Sequence, residues 1–365
     1  MLEISLSPPP AWNALGAAWR ALEARSHGSF FQSWSWVGSR ADARFPDPVL
    51  LRALHQGETV ALGLFNRCRR PWGARLWLNQ SGTAALDSIH VEHNGLLIAA
   101  GAPPDTLARA FAHLTATASH VVLSGVDAAH LEVTRLEVTG REVTGAAGML
   151  VRERAHAAAA PWIDLAAVRA QAGGHLALLS ANTRQQIRRS LRRYALDGPL
   201  QIQRAETLDQ AQAFLAALAV LHQQTWTRRG RPGAFANPAF VAFHQALLAT
   251  AWPRGEIDLL RVSFGPRALG YLYNFRWRRR IVNYQTGFDY DAGPSTPLKP
   301  GLTGHHLAAE KYAAEGLDAY DLLAGESRYK SSLATNSETL HWIEMMPSRS
   351  LPGLLHRARA ALARA

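Results

Sequence analysis

Three strand-like runs follow one another in the second half of the chain: Ile257–Phe264, Ala268–Trp277 and Ile281–Phe288, the last two joined by Arg278-Arg279-Arg280. A Gly/Pro-rich loop, 289–301, leads into a helix from about Leu302 to Gly316. A strand, Ala319–Leu323, then runs into Ala324-Gly325-Glu326-Ser327-Arg328-Tyr329-Lys330. Consecutive strands, one helix and a further strand point to an α+β architecture with a mixed sheet. The regular alternation of a Rossmann fold is excluded, and no GxGxxG or Walker A motif is present.

Two helices precede these strands, Leu208–Arg228 and Pro238–Ala251, linked by a loop from Arg229. Before them, in Thr183–Tyr194, the residues Ile187, Leu191 and Tyr194 share one helical face and arginines occupy the rest. That pattern reads as a solvated basic face, with contact to RNA phosphates as the other option. The first half opens with a short strand and a Pro8-Pro9-Pro10 break. A helix from Ala11 to about Arg25 carries Trp12, Leu15, Trp19 and Leu22 at helical spacing. Val49–Leu54 and Thr59–Phe65 flank His55-Gln56-Gly57-Glu58, a hairpin signal. Pro103–Thr117 reads as a helix and His120–Ser124 as a strand. Residues 131–145 repeat as Leu-Glu-Val-Thr-Arg, Leu-Glu-Val-Thr-Gly and Arg-Glu-Val-Thr-Gly, which suits a strand pair or a surface loop and carries no assigned function. Pro161-Trp162-Ile163-Asp164-Leu165 looks like a lobe boundary. The expected division is therefore 1–160, 161–346 and a basic tail helix, 347–365.

A chain of 365 residues with 48% apolar and 18% charged residues can bury two cores. Lys+Arg 39 against Asp+Glu 28 gives a formal charge of +11, and the lysines are only Lys299, Lys311 and Lys330. The balance favours polyanionic ligands such as coenzyme phosphates or RNA. The single cysteine, Cys68, excludes a disulfide framework and a cysteine-based zinc site. The start lacks a signal-peptide pattern, and no apolar stretch approaches a membrane span. A cytoplasmic location is the expectation.

Several segments together resemble the CelD/BcsL-type acyltransferase domain of the GNAT superfamily, a group related to Fem-type aminoacyl transferases. They are the arginine-rich segment 183–194, the stretch Leu221–Phe235, the strand ending Tyr284-Gln285-Thr286-Gly287-Phe288-Asp289, the Pro300-Gly301 helix start, and Tyr320-Asp321-Leu322-Leu323-Ala324-Gly325-Glu326-Ser327-Arg328-Tyr329-Lys330. The likeness covers about 160–345. It extends more faintly to the first half through Phe31-Gln32-Ser33 and Trp36. The family commonly has Ser before Pro-Gly, where Lys299 stands here. It usually has aliphatic residues where Thr303, His305 and His306 open this helix. The resemblance implies an α+β fold of two tandem GNAT-like lobes, each a mixed, mostly antiparallel sheet flanked by helices. It implies transfer of an acyl group from acyl-CoA to an amine, or less often a hydroxyl, of a small molecule or saccharide. A Fem-like enzyme using aminoacyl-tRNA, or a non-enzymatic scaffold for polysaccharide or envelope assembly, are the alternatives.

Such transfer is a direct attack on a thioester. The protein removes a proton from the amine, polarises the carbonyl and holds the donor. The helix start Lys299-Pro300-Gly301-Leu302-Thr303-Gly304 offers free N–H groups and a dipole suited to phosphate. It is otherwise an ordinary helix N-terminus. Asp321, after a strand, is a candidate base or amine-orienting group. Tyr329 is a candidate proton donor to the leaving thiolate, and Lys330 a phosphate or oxyanion ligand. The competing reading makes Asp321 and Lys330 a buried ion pair that closes the loop onto the sheet. Tyr284 and Gln285 are adjacent on a strand, so they face opposite sides, Gln285 together with Asn283. One of them lines a polar cleft, or both belong to a half-exposed face. His305 is a candidate base. His305 and His306 diverge on a helix, His90 and His93 on a strand, and no HExxH is present, so no metal is expected.

Overall fold

The computed structural model describes residues 1–127 (without 72), 143–144, 149–153, 157–290, 298–347 (without 326), 350, 353–354 and 362. The chain divides into two compact units, Met1–Ala158 with Thr339–Ala365, and Ala159–Glu338. The first begins β1 (Leu2–Ser7), α1 (Trp12–Glu23), α2 (Trp34–Val37), α3 (Ala41–Arg44), β2 (Pro48–His55), β3 (Glu58–Arg70) and β4 (Gly73–Leu78). It continues with β5 (Leu97–Ile98), α4 (Thr106–Thr117), β6 (His120–Val126), β7 (Val143–Thr144) and β8 (Met149–Glu153). The second begins at β9 (Ala158–Asp164), α5 (Leu165–Ala170), α6 (Gly174–Leu178), α7 (Ala181–Tyr194), β10 (Leu200–Arg204), α8 (Leu208–Arg228) and α9 (Pro238–Ala251). Then come β11 (Ile257–Phe264), β12 (Arg267–Trp277), β13 (Arg280–Phe288), α10 (Pro300–Ala314), β14 (Ala319–Asp321) and α11 (Arg328–Leu333). The last strand, β15 (Asn336–Pro347), starts in the second unit and delivers Thr339 onward to the first.

One topology occurs twice. In the first unit β1, β2, β3 and β4 pair antiparallel in sequence, and β4 pairs parallel with β6 across helix α4. In the second, β10, β11, β12 and β13 pair antiparallel, and β13 pairs parallel with β14 across α10. A parallel pair needs a crossover helix, which places α4 and α10 at the same point of the two units. Next to each parallel pair lies an antiparallel strand from outside that run: β15 against β6, and β9 against β14.

The expected helices and strands form with small shifts at their ends, whereas β9, β10, α5, α6 and β15 were not anticipated. The expected second domain, 161–346, runs too far. Ile343 and Met345 of β15 are 1% and 0% exposed and pack into the first unit's core with Leu51, Phe65, Phe111 and Leu123. The repeat at 131–145 lies outside the described residues except Val143-Thr144, as does most of the tail helix expected over 347–365.

In the second unit α5, α7 and α10 cover one sheet face. Ile187 and Tyr194 of α7 and Ala308 and Tyr312 of α10 bury against Leu260, Val262, Leu272 and Ile281. Helices α8 and α9 cover the other face through Leu218, Phe240 and Leu247, all buried. Gly287 permits this: a Cβ there would meet the Leu218 carbonyl oxygen at 2.3 Å, so α8 lays its backbone on β13. Among the described residues no helix is long and apolar enough to cross a membrane.

Candidate functional site

The parallel ladder between β13 and β14 is short. It pairs Arg280 with Ala319, Ile281 with Tyr320 and Val282 with Asp321, and there it stops. Strand β13 continues to Phe288, while the Leu322 amide turns away to donate to Pro161 O at 3.0 Å. Past Val282, β13 therefore has no strand beside it on that side among the described residues. The first unit treats the corresponding place differently. Past the Trp77–Val122 pair, its chain folds back into the gap. Asn94 N donates to Gly125 O at 3.0 Å, Asn94 Nδ2 to Leu78 O at 3.2 Å, and Asn79 Nδ2 to Asn94 Oδ1 at 2.8 Å.

Helix α10 starts beside the open edge of β13. Pro300 occupies its first turn and no side chain caps it. The N–H groups of Gly301 and Leu302 thus lack intrahelical acceptors. Lys299 N donates to Ser190 Oγ of α7 at 3.2 Å, which pins the helix start. The Lys299 ammonium has no partner among the described residues. Tyr290 places its hydroxyl 3.3 Å from the point a Gly301 Cβ would occupy. The Phe288 ring lies where a Gly304 Cβ would be, at 2.4 Å, so glycine lets β13 and α10 close on each other. Thr303 is fully buried, and its hydroxyl donates to Lys299 O at 2.9 Å.

His305 is 1% exposed. Its Nδ1 lies 2.9 Å from the Tyr320 hydroxyl, and its ring stacks on Tyr329 at 5.5 Å. Burial, reinforced by the Lys330 charge, holds its pKa down at about 3. The expected base is therefore a neutral, weakly basic imidazole. His306 turns the other way, stacking on His175 at 5.5 Å, and burial lowers it to about 3 as well. Tyr329 is 36% exposed, yet partial desolvation of its phenol, then Tyr290, pushes it up to about 12, so it keeps its proton at neutral pH.

Asp321 and Lys330 do not face the cleft as free groups. Asp321 is fully buried, and its Oδ2 accepts from Arg280 Nη2 at 2.7 Å and Nε at 3.0 Å. Its Oδ1 accepts the Leu323 amide at 2.8 Å. Arg280 also donates to Glu338 at 2.5 Å. The Lys330 ammonium donates to Leu323 O at 3.1 Å and Ala324 O at 2.8 Å. Leu323 sits at φ 62, a left-handed conformation costly for a branched side chain, and these bonds on both sides hold it there. Both residues close the loop onto the sheet, but through Arg280 and backbone carbonyls.

The strand parity expected for Tyr284 and Gln285 fails because of a β-bulge. Asn274 pairs with Asn283 and Tyr273 with Gln285, leaving Tyr284 as the extra residue. Gln285 therefore shares a face with Tyr273, not with Asn283. Tyr284 is 7% exposed beneath α9, 4.9 Å from the His244 ring and 4.9 Å from Phe275. Asn283 turns to the α10 side, where its Nδ2 donates to Asn274 Oδ1 at 2.8 Å, and Asn274 donates to the Tyr312 hydroxyl at 2.9 Å.

Three residues at the cleft had no assigned role. His222 of α8 lies with Nδ1 3.2 Å from Thr286 O and Nε2 accepting the Ala234 amide at 3.3 Å; burial lowers its pKa. Arg229 stacks on Trp226 at 5.5 Å; its charge adds to the lowering of His222 and partly offsets the burial that raises the phenols of Tyr290 and Tyr329. Tyr290 is the third. Arg229 and His222 fall in Leu221–Phe235, already marked by its resemblance, but only the fold brings that stretch to β13.

Residues 181–331 match the family model described as an acetyltransferase (GNAT) domain. No curated protein matches the chain in sequence. Among solved structures, the chain resembles FemX, with TM-score 0.55, 9% identity, and 94% of this chain and 96% of that one covered. It also resembles the C-terminal DUF2156 domain of a protein named as a lysylphosphatidylglycerol synthetase from Agrobacterium fabrum, with TM-score 0.54, 12% identity and 96% coverage of both. A conserved protein of unknown function from Bacteroides thetaiotaomicron gives TM-score 0.55 and 12% identity over 94% of this chain and 99% of that one. Within the second unit, residues 181–331 are thus similar to an acetyltransferase (GNAT) domain, in a GNAT-like α+β fold whose topology the first unit repeats.

Proposed function

We propose that the second unit transfers an acyl group from a coenzyme A thioester to an amine of a small molecule or saccharide, as its resemblance to CelD/BcsL-type acyltransferases implies. The observation that carries this reading is the open edge of β13 beside the uncapped start of α10. Backbone groups along that edge can pair with the amides of an extended pantetheine arm, as an added strand would. The Gly301 and Leu302 N–H groups, the helix dipole and the Lys299 ammonium suit the pyrophosphate. The first unit, whose gap is filled by its own chain, acts as support.

Attack of the neutral amine nitrogen on the thioester carbonyl forms the C–N bond, breaks the C–S bond, and the proton lost from nitrogen passes to the departing thiolate. Tyr329, protonated at neutral pH and close to the helix start, donates its hydrogen bond to that sulfur. With His305 and His306 held neutral by burial and Asp321 locked to Arg280, the amine arrives unprotonated. Asp321 and Lys330 are assigned to the scaffold.

Calorimetric titration with coenzyme A near physiological salt, where exposed charges are screened, tests the reading. One saturable site is expected, weakened about tenfold or more in Lys299→Ala, the scale of a lost charged hydrogen bond. Absence of binding at millimolar ligand overturns it. Once an acceptor is found by screening, Tyr329→Phe is expected to lower kcat about 100-fold with little change in coenzyme A affinity.

A second reading, aminoacyl-tRNA as donor, is favoured by the exposed Arg188, Arg189 and Arg192 on α7. It requires activity that RNase treatment abolishes.

A further inference from the structure

Helices α8 and α9 leave a trench of about 1170 Å³ between them. Its walls include Leu215, Ala219 and Val220 of α8, Phe235 of the connecting loop, and Val241 and Leu248 of α9. Val220 is 57% exposed there, although a β-branched apolar side chain on a solvated helix face gains nothing from water. The trench is not remote from the cleft. His244, part of its lining, touches the ring of Tyr284, the bulge residue of β13, at 4.9 Å. Gln223, also in the lining, follows His222, whose imidazole meets Thr286 O of the same strand.

We infer that this trench receives the acyl chain of the donor, so that the transferred group is a medium- or long-chain acyl and not acetyl. The inference rests on the coenzyme A reading above and names its substrate class. Two features select an acyl chain over the amine acceptor. No Asp or Glu stands in the lining, so nothing there compensates an ammonium, whereas a hydrocarbon needs no partner. The volume also exceeds what an acetyl group occupies and lies just above the roughly 300–1,000 Å³ of ordinary small-ligand sites, room enough for a long chain. A thioester carbonyl at the β13 edge would direct its chain past Tyr284 into the trench, leaving the α10 side to the coenzyme.

Burying a methylene is worth about 0.8 kcal/mol, or up to about fourfold in affinity per carbon. The test is calorimetric titration of the full chain with coenzyme A, acetyl-, butyryl-, octanoyl- and dodecanoyl-CoA, on the native protein and on Ala219→Trp. Coenzyme A and acetyl-CoA are expected to bind alike, and each two-carbon extension to bind up to roughly 15-fold tighter. The Ala219→Trp side chain takes up part of the trench wall. It should weaken binding of the longest thioesters most, while coenzyme A itself binds as before. A flat series in the native protein overturns this inference and leaves the coenzyme reading standing. So does a length dependence that is unchanged in Ala219→Trp. Failure of coenzyme A and every thioester to bind overturns both.

Discussion

Asp321→Ala loses stability on the order of 3–5 kcal/mol, the usual consequence of leaving a buried charge without its partner. The carboxylate is fully buried and answers Arg280 through two hydrogen bonds, and its other oxygen holds the Leu323 amide. Removing it takes the guanidinium's buried partner, leaving it Glu338 alone, and releases a leucine kept at positive φ. Urea and thermal unfolding should show the drop directly. Replacing both charges, Arg280→Met with Asp321→Leu, should recover part of it, because no buried charge is then left unpaired and the part-exposed Glu338 is met by water. Coenzyme A affinity of the folded fraction should change little. If Asp321→Ala instead melts like the native protein while activity is lost, Asp321 acts on the reaction and its assignment to the scaffold is wrong.

Acidification is expected to cost the protein as much. His305 and His306 both have pKa values depressed to about 3, and His175 is lowered too, in each case mainly by burial. In the unfolded chain each imidazole takes a proton near pH 6.5. A depressed folded value means the unfolded state binds more protons throughout the window between about 6.5 and 3. Stability is therefore intact above 6.5 and falls as the pH drops through that window. At about 1.4 kcal/mol per pH unit for each group, the His305–His306 pair alone removes about 4 kcal/mol between pH 7 and pH 5. Melting curves at those two pH values measure it. The double variant His305→Asn, His306→Asn should show a shallower slope, and an unchanged slope would refute the attribution to these imidazoles.

Much of the second unit was legible from local patterns. Leu208–Arg228 and Pro238–Ala251 form helices with those boundaries, because apolar periodicity and the caps Thr207 and Asn237 are encoded within a few residues. The hairpin at His55–Glu58 likewise follows from Gln56 and Gly57 adopting positive φ. Pro300 at a helix start is a local signal too. The site was legible only in part. Asp321, Tyr329 and Lys330 were singled out, but the partners that decide their chemistry are distant in sequence. Arg280 is 41 residues from Asp321, and Tyr320 is 15 from His305. A bulge displaced Tyr284 and Gln285 from their expected faces, and nothing within the strand announces an extra residue whose count is set by the partner strand.

The chain's own order of apolar runs, turns and basic helices determined that an α+β unit with strands, a crossover helix and a further strand forms, and that a cation-flanked helix start follows the third long strand. Short-range sterics and hydrophobic periodicity suffice for that. The tertiary structure alone decided which groups are free to act. It spent Asp321 and Lys330 on closing a loop, buried His305 into neutrality, brought Arg229 and Tyr290 to the helix start, and sent β15 to the first unit's core. Those outcomes depend on burial and on pairings between distant residues, and both exist only once the chain has packed.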